Sequence, residues 1–289
     1  MDKTARIIFI CLSVALAAGV GYYWYGTQAA QPEHHLVILH ANDTHSHFEP
    51  VRDEDYPGMG GIIERAAYLD SLRQAVGAEN VLLLHAGDFS QGTTYFSELQ
   101  GNLEVQALNA MHYDVVTLGN HEFDNGLEDL GRRLSSLNMP VVVCNYDFSP
   151  FEAGKYIKPY VILERAGLKI GVIGVLCDLK SMVAADIAER VPEFPMVETV
   201  QKYADQLKGD EGCDLVIALT HIGYEEHTPG DITDPILCSR TRNIDLIVGG
   251  HSHTFLEEMV YHDNVDGIPT PVVQDGCYGV FWGRIDYSL

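Results

Sequence analysis

Five short apolar runs in this chain break off into residues that ligate hard or borderline metal ions. Leu36–Leu39 leads into Asn42-Asp43-Thr44-His45, and Val81–Leu84 leads into Gly87-Asp88. Asp114–Leu118 leads into Gly119-Asn120-His121-Glu122-Phe123-Asp124. Leu215–Leu219 leads into Thr220-His221, and Leu246–Val248 into Gly249-Gly250-His251-Ser252-His253. β-Branched and Leu-rich runs bounded by Gly, Asn and Asp read as buried strands. In open α/β sheets, bound groups gather just beyond the carboxyl ends of such strands. Five strands delivering Asp, His, Asp, Asn-His, His and His-Ser-His to one edge would build a metal site.

Between these runs the spacing of apolar residues predicts helices over Gly60–Val76, Glu98–Met111 and Gly126–Leu137. Pro140–Cys144, Tyr160–Leu163 and Leu168–Leu176 read as strands, the last two joined by a turn at Ala166-Gly167. Helical patterns resume near Lys180–Arg190 and Val197–Leu207. Past His253, strands are expected at Glu258–His262, Pro271–Gln274 and Val280–Tyr287, with turns at Asp266-Gly267 and Asp275-Gly276. Strand–helix alternation followed by a strand-rich tail predicts an α/β sandwich whose second sheet is completed late. No linker or repeat divides the 289 residues. The roughly 255 that follow the N-terminus suit one large domain with a buried core.

The N-terminus has a different character. Met1–Arg6 is short and basic, and Ile7–Tyr25 then runs nineteen residues without a charge. As a helix this spans about 28 Å, close to the roughly 30 Å of a bilayer's hydrocarbon core. Tyr22-Tyr23-Trp24-Tyr25 suits a membrane interface, whereas Ala15-Leu16-Ala17 fits the small-residue cleavage site of a secretory signal. An uncleaved anchor and a cleaved signal both remain open. Either way residues 1–30 form an address plus tether, and 31–289 form an exported domain, periplasmic or extracellular, attached to the membrane by its N-terminus.

Charge and cysteine usage exclude several classes. There are 41 Asp and Glu against 18 Lys and Arg, and an acidic surface argues against a nucleic-acid duplex as partner. The six cysteines have no CxxC and no regular spacing. Buried free thiols are therefore expected rather than a disulfide framework.

Asp43 and His45 leave a strand end two residues apart, so both can point the same way and grip one ion. Asp88, on a Gly turn, is placed to bridge two ions. Asn120 and His121 are adjacent and diverge, so one of them is expected to ligate. His251 and His253 repeat the two-residue spacing and can serve neighbouring ions. His40, His47 and His85 stand close behind these motifs, whereas His112, His227 and His262 read as loop residues.

Taken together, Asn42–His45, Gly87–Gly92, Gly119–Asp124 and Gly249–Thr254 resemble the calcineurin-like metallophosphoesterases. More narrowly they resemble the catalytic domain of bacterial and animal 5′-nucleotidases. The likeness runs from about Leu36 to the end, including Val272–Gln274 through Gly283-Arg284. It implies a four-layered αββα sandwich. It also implies one divalent ion among Asp43, His45, Asp88 and His253, and a second among Asp88, Asn120, His221 and His251. His121 and Asp124 would be the catalytic pair. The family often has Asn or Gln where His253 stands, which bears on metal preference. Those nucleotidases also carry a C-terminal domain that stacks the nucleobase, and this chain stops where the catalytic domain stops.

Phosphoester hydrolysis needs a nucleophile at neutral pH, charge neutralisation at phosphorus and a protonated leaving oxygen. Two divalent ions, about 3.5–4 Å apart, supply the first two through a bridging hydroxide. Asp43, Asp88 and hydroxide leave a small positive surplus, which the neutral His and Asn ligands preserve. Mixed nitrogen and oxygen donors suit Zn, Mn, Fe or Co. His121 would protonate the leaving oxygen, with Asp124 orienting its ring.

The expected activity is thus exported two-metal hydrolysis of a nucleotide or related phosphoester. The alternatives are the catalytic half of a split nucleotidase needing a separate substrate-binding domain, and a metal scaffold or sulfur-ester hydrolase.

Overall fold

Strands buried on both faces need apolar side chains at every position, and this requirement organises the protein. The computed structural model describes residues 35–52 and 56–288. The expected membrane or signal helix, in 1–30, lies outside the described residues. Among those described, no helix is long and apolar enough to cross a membrane. Residues Leu36–Tyr287 form one compact unit.

The chain builds two mixed six-stranded sheets. The first contains β1 (His35–Ala41), β2 (Val81–His85), β3 (Val115–Thr117), β4 (Val141–Val142), β5 (Ile157–Lys158) and β12 (Gly283–Ser288), in the order β12-β1-β2-β3-β4-β5. The second contains β6 (Tyr160–Arg165), β7 (Leu168–Leu176), β8 (Leu215–His221), β9 (Leu246–Val248), β10 (Val260–Asp263) and β11 (Pro269–Val273), in the order β10-β11-β9-β8-β7-β6. Alternate residues divide the core. Leu36, Ile38, Leu82 and Leu84 of the first sheet join Ile170, Val172, Ile217 and Val248 of the second in one buried cluster between the sheets. Val37, Leu39 and Leu83 point the other way, into a cluster shared with Leu69, Leu108 and Leu127 of the helices. On the second sheet, Val216 and Ala218 lie in the same cluster as helix residues Val200 and Ala204.

Register then aligns the strand ends. β1 and β2 run parallel with Ala41 opposite His85, so the loops carrying Asp43 and Asp88 leave side by side. β8 pairs in parallel with β7, placing His221 opposite Leu176, and with β9, placing Leu219 opposite Val248. The five motif-bearing runs do not share one sheet edge as the sequence suggested. β1, β2 and β3 belong to one sheet, β8 and β9 to the other.

Other departures have local causes. The single helix expected over Glu98–Met111 is two, Thr94–Leu99 and Asn102–Ala110. Gln100 and Gly101 break it by adopting left-handed conformations, φ 52 and 76. The Lys180–Arg190 pattern forms two four-residue helices, Leu179–Met182 and Ala185–Ala188, separated by extended Val183. Helix Asp234–Arg240 and edge strand β5 were not anticipated. The first had a signal, Pro235 in its opening turn. Cys144, Cys177, Cys213 and Cys238 are buried free thiols, and Cys277 is a half-buried one.

The two sheets come into backbone contact at Gly174 of β7. Its carbonyl accepts the Cys144 N–H at 2.9 Å, and a Cβ there would collide with the Val142 carbonyl of β4. Backbone cannot swing aside as a side chain can, so Gly174→Ala should cost at least about 1–3 kcal/mol. A lower urea midpoint at unchanged slope would register the loss. Gly209→Ala, with nothing within 4 Å of the added methyl, should leave the midpoint unchanged or slightly higher.

Candidate metal centre

The residues that end the strands are held in backbone conformations that side chains other than glycine seldom adopt. Asp43, His45, Ser46, Asp88, His251 and His253 all have positive φ, between 46° and 83°. Such conformations cost energy and are fixed here by main-chain hydrogen bonds between loops. The Asp43 N–H donates to the Gly87 carbonyl, and the His45 N–H to the Asp88 carbonyl, both at 3.0 Å. Gly87 permits the approach of a third segment, since a Cβ on it would lie 2.7 Å from both the Gly119 nitrogen and His221 Nδ1.

The loops bring the ligand atoms into three overlapping groups. Asp43, His45 and His253 form one, His45, Asp88 and His121 another, and Asp88, His221 and His251 the third. In each, the potential donor atoms lie within 4.8 Å of one another. His45 Nε2 is 3.8 Å from both Asp43 Oδ1 and Asp88 Oδ2. His221 Nε2 is 3.1 Å from Asp88 Oδ2 and 3.9 Å from Asp43 Oδ1. His253 Nε2 is 3.4 Å from Asp43 Oδ1. Asn120 is buried at the end of β3, its Oδ1 3.9 Å from Cys177 Sγ. At the solvent-facing rim, His121 Nδ1 and Asp124 Oδ2 are 2.9 Å apart.

Hydrogen bonds fix which atoms face inward. The Ala86 carbonyl, 2.7 Å away, takes His221 Nδ1 and leaves Nε2 towards the carboxylates. Asp43 Oδ2 accepts the His251 N–H at 2.9 Å and the Asn42 side-chain amide at 2.6 Å, leaving Oδ1 inward. Asp88 Oδ1 accepts the His121 N–H at 2.9 Å. Asp43 Oδ1 and His221 Nε2 are buried and make no aligned hydrogen bond. A desolvated carboxylate oxygen and imidazole nitrogen left in this way are donor chemistry for a cation.

The electrostatics follow from burial working against attraction. Burial would raise Asp43, yet His221 and the His253 contact bring it below the usual carboxylate range. Burial likewise opposes the charge on His221, but Asp88 and Asp43 push it up to about 9. His251 goes the other way, down to about 4, because burial and the neighbouring His221 both disfavour its charge. The Asp124 hydrogen bond raises His121 despite partial burial.

Two buried acids at the site escaped the sequence reading. Glu122 is fully buried, and its carboxylate accepts the N–H groups of Gly119 (2.7 Å), Asp88 (2.9 Å) and Ser90 (3.0 Å). It ties the β2 and β3 loops together beneath the ligands, and its only signal was its place inside Gly119–Asp124. Asp234 is buried under the second sheet's share of the site, accepting the Thr220 hydroxyl at 2.6 Å. His227, read as a loop residue, has its ring 5.7 Å from that of His251.

A buried acid-and-imidazole cluster at the strand ends of a two-sheet α/β scaffold is suited to divalent metal ions. Comparison with known proteins gives the particular lineage. The calcineurin-like phosphoesterase family model matches residues 36–255, and the chain belongs to that family, which uses divalent metals. It is 34% identical to a snake venom 5′-nucleotidase of Naja atra, over 88% of this chain and 50% of that protein. It is 35% identical to a 5′-nucleotidase of Diplobatis ommata, over 88% of this chain and 46% of that one. The solved 5′-nucleotidase precursor from Thermus thermophilus superposes with a TM-score of 0.77 at 30% identity, covering 88% of this chain and 51% of that chain. The chain thus spans about half the length of these relatives.

Burial pushes the Asp234 carboxyl up to about 7, and the Thr220 bond only partly offsets it. A folded-state value above the unfolded one means the protonated acid is favoured on folding. That contribution is full below about pH 4 and lost as pH rises through about 7. In chelator-treated protein, Asp234→Asn should flatten the thermal stability profile between pH 4 and 8. An unchanged profile would show that Asp234 is not the group responsible.

Proposed function

We propose that this chain is a two-metal phosphohydrolase acting on nucleotides or a closely related phosphoester. The observation that carries the reading is the sharing of Asp88 and His45 among the three ligand groups, with Asp43 Oδ1 and His221 Nε2 buried beside them and making no aligned hydrogen bond. Asp43, His45, Asp88 and His253 would hold one divalent ion, and Asp88, Asn120, His221 and His251 the other. Zn, Mn, Fe and Co suit these donors. Once bound, such ions supply charge neutralisation at phosphorus and a water acidic enough to attack at neutral pH.

The chain's own groups do the rest. With Nδ1 engaged by Asp124 at 2.9 Å, His121 presents Nε2 as the atom that gives a proton to the leaving oxygen. Asp124 fixes the ring's rotation and favours its protonated form. Asn42 and the His251 N–H orient Asp43, and Glu122 and the His121 N–H orient the Asp88 loop. The two-sheet core with helices outside is, in this reading, the four-layered αββα sandwich of the family. Residues 31–289 form its catalytic domain, exported and attached or delivered through 1–30. The names of the 5′-nucleotidase relatives favour nucleoside monophosphates as the first substrates to try.

Purified protein supplied with Mn²⁺ or Zn²⁺ should release phosphate from an aryl phosphate and from nucleotides, with metal content measured on the same sample. Asp88→Asn should lose both metal and turnover. His121→Ala should keep its metal and lose about 10²–10⁴-fold in kcat. Full activity in His121→Ala would refute the proton-donor role, and turnover of sulfur esters alone would refute the substrate class.

A further inference from the structure

Behind the Asp43–Ser46 loop, on the side away from the ligand atoms, lies a cavity of about 20 Å³ lined by Thr44, Ser46, Arg65, His85, Glu104 and Tyr113. Apolar residues such as Phe89 and Leu108 complete its walls, and two polar groups there are deeply buried. Glu104 is 2% exposed and His85 1%. Glu104 Oε1 accepts the Ser46 hydroxyl at 2.5 Å, while Oε2 is buried with no protein partner. His85 Nε2 meets the Thr44 hydroxyl at 3.1 Å, while Nδ1 is likewise buried and unpartnered. Arg65 donates to the carbonyls of His47 at 3.2 Å and Gly61 at 3.4 Å. An acceptor and an imidazole nitrogen, both desolvated and both on residues that line one cavity, each call for a partner.

We infer that Glu104 and His85 close on a single internal water, and that this polar site positions the loop carrying Asp43 and His45. Size and charge select the ligand. An internal water needs only a small polar void, and the cavity has room for one. Burial, aided by Arg65, pushes His85 down to about 3 and keeps it neutral. His85 Nδ1–H donates to the water, and the water donates to Glu104 Oε2.

The positioning follows from sequence alternation. Asp43 and His45 point at the metal centre, and the intervening Thr44 and following Ser46 point back to His85 and Glu104. All of Asp43, His45 and Ser46 are left-handed, and the Thr93 hydroxyl donates to the Ser46 carbonyl at 2.9 Å. Glu104 and His85 touch no ligand atom and act through Thr44 and Ser46. This second half of the inference rests on the metal-centre reading; the internal water does not.

Two experiments separate the parts. A high-resolution crystal structure should contain one ordered water within hydrogen-bond distance of both Glu104 Oε2 and His85 Nδ1. Direct protein partners for those atoms, or no density between them, would overturn the site. Calorimetric titration with Mn²⁺ should give about 10–100-fold weaker binding in Glu104→Ala and near wild-type binding in isosteric Glu104→Gln. Ser46→Ala, which keeps the carboxylate, should weaken binding if Glu104→Ala does not fold. Variants that melt earlier but bind Mn²⁺ as wild type does would overturn the positioning role. A wild-type protein that binds no Mn²⁺ yet contains the water would refute the metal centre and leave the internal site standing.

Discussion

Two carboxylates without water, Asp43 and Asp88, are the condition that everything else at this site satisfies. Both are essentially inaccessible, and the parallel pairing of β1 with β2 sets their loops side by side. Like charges so placed cannot both ionise unless positive charge is close by. Imidazoles provide it. His221 rises to about 9 against the cost of burial, because Asp88 and Asp43 face it. His253 rises to about 10, again against burial, through its contact with Asp43. Protons and divalent ions therefore compete for the same atoms, and metal uptake must expel protons. Affinity for metal is tied to pH by this arrangement before any catalytic step is considered.

The same demand explains the strained backbone. Residues two apart, such as Asp43 and His45 or His251 and His253, point the same way along a strand, but alternation alone does not bring residues from separate loops onto a common point. Asp43, His45, Asp88, His251 and His253 are left-handed where the loops converge, at a cost that only a rigid surround can sustain. Interlocking loop hydrogen bonds, the Glu122 carboxylate and fully buried Arg133 form that surround. Arg133 donates to the Ser90 hydroxyl at 2.8 Å and to the Glu122 carbonyl. At five of these strained positions, Asp43, His45, Asp88, His251 and His253, the residue is Asp or His rather than Gly. Chemistry, not conformational ease, chose the residue.

This also accounts for what could be read beforehand. Val81–Leu84 and Leu215–Leu219 announced themselves because strands covered on both faces leave no polar positions to blur the pattern. Asp43, His45, Asp88, His221 and the His251–His253 pair were legible because residues of that chemistry ended such runs. Sheet membership was not legible. Nothing in Leu246–Val248 distinguishes a neighbour of β8 from a neighbour of β2, since the deciding contacts are with residues far away in sequence. Helix Asn102–Ala110 looked continuous with Thr94–Leu99 because the apolar spacing survives the turn at Gln100-Gly101. Glu122 was overlooked for a related reason. A buried acid bonded to three backbone N–H groups has the composition of a solvent-facing one, and only coordinates reveal that its partners are main chain.

The division of the site between two sheets has a mechanical consequence. Asp43, His45, Asp88, Asn120 and His121 follow strands of the first sheet, while His221, His251 and His253 follow strands of the second. Between them the interface is aliphatic, and aliphatic packing is specified by shape alone. It resists separation but does not by itself fix a sliding register at the scale a ligand set requires. Polar links do so, some away from the site, as between Cys144 and Gly174 or Arg165 and Asp114, and others at it. His221 Nδ1 meets the Ala86 carbonyl at 2.7 Å, the His251 N–H donates to Asp43 Oδ2 at 2.9 Å, and the Asn42 amide donates to the Gly276 carbonyl at 2.7 Å. The first two join strand ends of one sheet to strand ends of the other, and Gly276 lies in the connection from β11 to β12 that passes between the sheets. The seam's bulk supplies cohesion and these few bonds supply alignment, so the ligand geometry is set where it is used.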